Sequence, residues 1–190
     1  WSILLKRADL KPWETVLILS ASSGVGTAAI QMAKNVIGSR VIATTSSNIK
    51  KQKALDLGAD HVINYTKDNI LNAIGELTNN RGADVVVDHV GSEFWSEAMA
   101  SLAPGGRYGI CGVTTGYRAE LQMGTLFVKQ QTVLGVFMGS NQDLRYIVDM
   151  VGRGIIRGVI DKVFELSDAV KAHETMESRD FFGKLILKIP

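Results

Sequence analysis

The sequence predicts an α/β fold: a doubly wound parallel sheet of Rossmann-like type with helices on both faces. Three observations predict it. Short continuous apolar runs such as Val16–Leu19 and Val85–Val87 suit strands buried on both faces. Segments of helical periodicity alternate with those runs, which requires parallel strands joined by right-handed crossovers. Small residues gather where the first strand passes into the first helix, the place where such sheets receive a ligand.

In chain order, Val16–Leu19 is the first strand. The helix after it places Val25, Ala28, Ala29, Met32, Ala33 and Val36 on one buried stripe, and Gly38 ends it. Val41–Thr44 reads as the second strand, with Asn48 as a helix N-cap candidate, Ile49–Leu57 as a helix, Gly58 as its C-cap and Asp60–Asn64 as the third strand. A helix over Asp68–Leu77, a strand over Asp84–Asp88 and a helical face made by Trp95, Ala98, Met99 and Leu102 follow. Pro104-Gly105-Gly106 is a turn. Strands at Arg107–Cys111 and Thr132–Phe137, then a helix carrying Leu144, Ile147, Val148 and Val151, complete the sheet. Residues 1–160 thus form the doubly wound unit. Residues 161–190 read as strand, helix, strand beyond the last crossover, with strands at Val163–Leu166 and Lys184–Ile189 around a helix from Asp168, and belong to a neighbouring layer or domain.

Composition narrows the function. The chain has 190 residues, 46% apolar and 21% charged, enough for a proper core and unlike a disordered or low-complexity sequence. A net charge of +2 without a basic run argues against nucleic acid. The longest uncharged stretch, Thr15–Ala33, is broken by serines and glycines, so no membrane span is expected. A lone cysteine and no secretion signal point to the cytoplasm. Cys111, set in an apolar strand, reads as core, and with His61, His89 and His173 it makes no zinc spacing, so no metal site is expected in this chain.

The chemistry lies in the turn Ser20-Ala21-Ser22-Ser23-Gly24-Val25-Gly26, whose backbone N–H groups can meet a pyrophosphate at the positive end of a helix. Measured against the dinucleotide fingerprint, Ala21 and Ser23 take the first two glycine positions and Gly26 the third. A tight turn that needs small residues only for packing is the competing reading. After the second strand, where NAD-preferring proteins place a carboxylate, stands Thr45-Ser46-Ser47, with Lys50 and Lys51 in the next helical turn. Hydroxyls and lysines there can hold a 2′-phosphate, which argues for NADP over NAD; an ordinary capped helix start with surface lysines is the alternative. A P-loop, a Gly-x-Ser-x-Gly elbow and a Tyr four residues before a Lys are all missing. Phe137 and Met138 fit core packing at a strand end as well as they fit a cofactor contact.

The sequence resembles the medium-chain dehydrogenase/reductases, in the branch of quinone oxidoreductases and zinc-type alcohol dehydrogenase-like proteins. The carriers are Leu10-Lys11-Pro12, Ser22-Ser23-Gly24-Val25-Gly26-Thr27-Ala28-Ala29-Ile30-Gln31, Leu57-Gly58-Ala59-Asp60, Val62-Ile63-Asn64-Tyr65, Asp88-His89-Val90-Gly91, Pro104-Gly105-Gly106-Arg107 and Phe182-Gly183-Lys184. Ala21 and Ser23 depart from the glycines of the alcohol dehydrogenase pattern. The resemblance implies a cofactor domain whose GroES-like catalytic partner lies outside this chain; with Trp1 at the start, a fragment or excised domain is expected. Trp1–Lys11 then resembles the helix that joins the two domains. No catalytic residue is assigned, and zinc is possible in the parent protein but is not held here.

The likeness further implies that Ser23, Gly24, Val25 and Gly26 cradle the pyrophosphate, that Ser46, Ser47 and Lys50 hold the 2′-phosphate, and that Tyr65 closes over the adenosine side. By the same likeness His89 lies beside adenine and ribose, Gly112 and Val113 lie near the nicotinamide, Phe137 and Met138 border its carboxamide, and Arg179 adds a phosphate contact. The activity implied is NADP-dependent hydride exchange with a small-molecule quinone, carbonyl, alcohol or activated alkene, in a homodimer paired through the last sheet strand. A non-catalytic NADPH-sensing module is the alternative from another class.

Overall fold

Strand β1 (Thr15–Ile18) shows how the sequence builds the sheet. Val16 and Ile18 enter one apolar cluster and Leu17, with the following Leu19, enters the other, so every residue of the run is buried. The computed structural model describes residues 1–189. Around β1 lie β2 (Arg40–Thr45), β3 (His61–Asn64), β4 (Ala83–Asp88), β5 (Leu102–Ile110) and β6 (Thr132–Gly135), in the order β3-β2-β1-β4-β5-β6 with every pairing parallel. The fold is Rossmann-like, and the strand order reverses between β1 and β4.

Helices α1 (Gly24–Gln31), α2 (Asn48–Asp56), α3 (Ile70–Leu77), α4 (Ser92–Ala100), α5 (Met123–Val128), α6 (Asn141–Gly152) and α7 (Ala169–Glu177) make up the rest with short irregular turns. The expected long first helix is α1 continued by a π-helical segment, Met32–Ile37, which Gly38 closes at φ +84°. A second π-helical segment, Ser2–Arg7, packs Ile3 and Leu4 into the core on the α1 face. The opposite face is filled from α3 and α4 by Ile70, Ile74, Trp95 and Ala98, against Val86 and Tyr108.

Several expectations need correction. Ser47, not Asn48, caps α2, accepting the Lys50 N–H at 3.3 Å. Leu102 belongs to β5 rather than to the helical face of Trp95. The Pro104-Gly105-Gly106 turn lies inside β5: Ala83 pairs with Leu102 and Val85 with Arg107, so the extra residues loop out as a bulge. Cys111 is exposed, just past the end of β5, and is not core; the sheet face that buries Tyr108 stops short of it. Helix α5 had no periodic signal, since all its side chains are at least partly exposed.

Strands β7 (Ile160–Glu165) and β8 (Lys184–Lys188) form a separate parallel pair linked through α7. Among the described residues no helix is long and apolar enough to cross a membrane.

Candidate functional site

The reversal of strand order leaves a crevice at the carboxyl ends of β1 and β4, and the start of α1 points into it. Ser20 takes φ +54° to turn the chain. Gly26 is required by packing, because a β-carbon there would collide with the Ser20 carbonyl oxygen and lie 2.9 Å from Ala21 Cα. The Ser23 hydroxyl accepts the Gly26 N–H at 2.8 Å and the Ser23 carbonyl accepts that of Thr27. The N–H groups of Gly24 and Val25 are left facing outward at the positive end of the helix, among the described residues without a protein acceptor. That is an anion cradle.

Two hollows flank it. One, of about 350 Å³, brings together Ser23, Ser46, Lys50, Tyr65, His89 and Arg179 from five different stretches of chain. Its apolar wall is the Tyr65–Phe94 pair, with ring centroids 4.8 Å apart. Both His89 ring nitrogens are buried there without a hydrogen-bond partner, a state that polar groups rarely keep unless a ligand or water completes them. Burial holds the His89 imidazole below its ordinary pKa, against the pull of Asp88, so the ring is neutral at pH 7 and offers one donor and one acceptor. Lys50 Nζ donates to the Arg179 carbonyl, and burial lowers its pKa against Asp180 and Asp161.

The other hollow, of about 640 Å³, is lined by Gly24, Val25, Val87, Cys111 and Met138 among others. Although Cys111 is exposed overall, desolvation of its thiol by the surrounding walls, with Asp88 acting in the same direction, pushes the thiol up, away from thiolate reactivity.

The remaining sequence candidates lie outside both hollows. Gly26 acts from below the turn. Ser47 spends its hydroxyl on the α2 cap. Gly112 backs onto the His89 carbonyl, which a β-carbon would approach to 2.8 Å, and Val113 backs onto Gly91 in the same way. Phe137 is 94% exposed beyond the end of β6.

Sequence reasoning missed Lys184. Its Nζ and Cε lie so close above Gly24 that a β-carbon on that residue would collide with them, which sets an ammonium directly over the cradle. The Gly183 N–H donates to the Ser22 carbonyl at 2.8 Å and fixes β8 against the turn. The signal was a lysine at the head of the last strand; its approach to a turn 160 residues earlier is a tertiary fact.

A Rossmann-like sheet with an anion cradle at its switch point, flanked by an aromatic-walled hollow and an apolar one, defines a nucleotide-cofactor domain. The chain belongs to the zinc-binding dehydrogenase family, whose profile matches residues 24–153, and forms the cofactor-binding domain of a medium-chain dehydrogenase/reductase. It is similar to quinone oxidoreductase-like protein 2 of Bos taurus, 31% identical over 96% of this chain and 55% of that protein. It is likewise similar to the quinone oxidoreductase of Salmonella typhimurium, 32% identical over 97% of this chain and 60% of that protein. A crystal structure of an NAD-dependent alcohol dehydrogenase superposes with a TM-score of 0.93 at 37% identity, over 100% of this chain and 55% of that one. The chain therefore spans little more than half the length of these relatives, which are oxidoreductases by name. Among the described residues no group of three or more His, Cys, Asp or Glu is placed to hold a metal ion.

Proposed function

We propose that this chain is the NADP-binding part of an oxidoreductase acting on a quinone, carbonyl, alcohol or activated alkene. The observation that carries the cofactor preference is the end of β2. Ser46 and Lys50 share the smaller hollow with Arg179, and no carboxylate stands in Thr45-Ser46-Ser47 to repel a 2′-phosphate. The similar alcohol dehydrogenase is NAD-dependent by its description, so the cations of this hollow, rather than likeness, support NADP.

In this reading Gly24, Val25 and Lys184 hold the pyrophosphate, Tyr65, Phe94 and neutral His89 receive the adenosine, and the larger hollow accepts the nicotinamide ring beside Val25 and Met138. A bound nicotinamide supplies or accepts the hydride. The chain's own contribution is binding, orientation and exclusion of water from the apolar hollow.

Separate titrations with NADPH and NADH test this reading. NADPH is expected to bind at least about tenfold more tightly, equivalent to about 1.4 kcal/mol. Ser46→Asp with Lys50→Glu removes that preference while sparing NADH. Equal affinities in the unaltered chain would reduce Ser46 and Lys50 to an ordinary helix start.

We further propose a homodimer paired through β6, whose outer edge has no neighbour in the sheet. Light scattering should return twice the chain mass, and a monomer at high concentration refutes the pairing.

A further inference from the structure

The larger hollow has a wall that the chain holds with unusual care. The turn from β6 into α6 carries Met138 at φ +58°, a conformation L-residues rarely adopt and keep only where surrounding structure enforces it. Five residues on stands Asp143, itself 3% exposed. Its carboxylate accepts the Ser140 N–H and hydroxyl, both at 2.8 Å, closing a capping box at the start of α6. The same carboxylate accepts the Trp1 indole N–H at 2.9 Å and pairs with Lys6 Nζ at 2.7 Å, so two groups from the N-terminal segment converge on it. The Lys6 ammonium, helped by the Ser140 donors, holds the Asp143 carboxyl well below the usual carboxylate range. Trp1 also stacks on Tyr146 at 5.9 Å, and the Ser2 hydroxyl donates to the Met138 carbonyl at 3.2 Å. The Ser2 bond ties the N-terminal segment to Met138 directly, while Trp1 and Lys6 reach the start of α6, which Asp143 joins to the lip (residues 138–140) through Ser140.

We propose that Asp143 is a positioning residue for the nicotinamide end of the cofactor. From the wall of the larger hollow it locks the Met138–Ser140 lip and ties it to the N-terminal segment, so that the ring meets a preformed wall. The inference rests on the cofactor reading above and deepens it. It explains why a buried acid with four donors stands at a helix start whose capping box needs only Ser140. The adenosine hollow lies on the far side of the α1 N-terminus and shares none of these residues.

That separation supplies the test. Adenosine 2′,5′-bisphosphate occupies only the adenosine end, whereas NADPH also engages the lip. In the full chain, Asp143→Asn should weaken NADPH binding threefold to tenfold and cut the rise in NADPH fluorescence on binding by half or more. The bisphosphate should bind within twofold of its original affinity. Ser2→Ala, an exposed change that leaves the carboxylate in place, should move the same ratio by a smaller amount and serves if the Asp143 variant does not fold. Equal weakening of both ligands marks a general structural loss and overturns the proposal, as does no change in either. If the unaltered chain binds the bisphosphate as tightly as NADPH, the lip contributes nothing and the proposal fails while the adenosine site stands. If it binds neither, the cofactor reading itself falls, and the positioning role with it.

Discussion

The two sheets of this molecule differ in what they do. The six-stranded sheet is built from runs such as β1 and β4, in which every residue is buried, and its interior is apolar on both faces. The β7–β8 pair alternates exposed and half-buried residues and leaves Ile160 and Val163 more than half exposed. Yet this thinner layer delivers the charge: Lys184 stands at the head of β8, and Arg179 lies in the strap between α7 and β8. A cation can be set over the start of α1 only from an element that remains near solvent, because burying it in the large sheet would cost more than its attraction returns. The large sheet holds geometry, and the small one brings a lysine over the start of α1.

Substitutions can break that division. Gly26→Ala, in the turn that roofs the large sheet, should cost about 3 kcal/mol of stability through overpacking against the Ser20 carbonyl, read by urea denaturation. A loss below about 1 kcal/mol would show that the turn can yield.

Tyr108 comes next. Fully buried, it donates to Asp88 Oδ2 at 3.0 Å, and burial, reinforced by the negative Asp88, pushes its phenol up. Tyr108→Phe should cost about 2 kcal/mol at neutral pH, since the lost hydrogen bond runs to a carboxylate. The folded phenol keeps its proton where the unfolded one ionises. Stability tied to it is therefore complete below about pH 10 and falls above it by up to about 1.4 kcal/mol per pH unit. Denaturation midpoints followed from pH 8 to 11 should show that fall in the unaltered chain and a shallower one in Tyr108→Phe.

Lys184→Met sharpens the comparison from the other side. It should weaken NADPH and NADH alike by about tenfold, about 1.4 kcal/mol, because the pyrophosphate is common to both. Its effect on stability should stay within about 0.5 kcal/mol. A large stability loss here, with cofactor binding intact, would make Lys184 a structural residue and erase the distinction between the two sheets.

Much of the fold and part of the site could be read directly from residue order. Buried parallel strands write themselves as continuous apolar runs, so β1, β2 and β4 were legible within a residue or two. The tight turn from β1 into α1 was legible because small residues cluster at Ser23, Gly24 and Gly26, and at Gly26 packing alone demands one. Errors came where local pattern and tertiary role part company. Cys111 sits in an apolar sequence but beyond the end of its strand. The β5 bulge hides strand residues behind a Pro-Gly-Gly turn signal.

By itself, then, the sequence determined the parallel α/β sheet, the small-residue turn at the start of α1 and the missing carboxylate after β2, because periodicity, small-residue turns and charge are local properties of the chain. Tertiary structure alone decided that Lys184 would cover Gly24, that Lys50 would reach the Arg179 carbonyl, and that Asp143 would gather Trp1 and Lys6 at the lip. Those contacts join residues more than a hundred positions apart, and only the packing of distant segments on one another sets their distance.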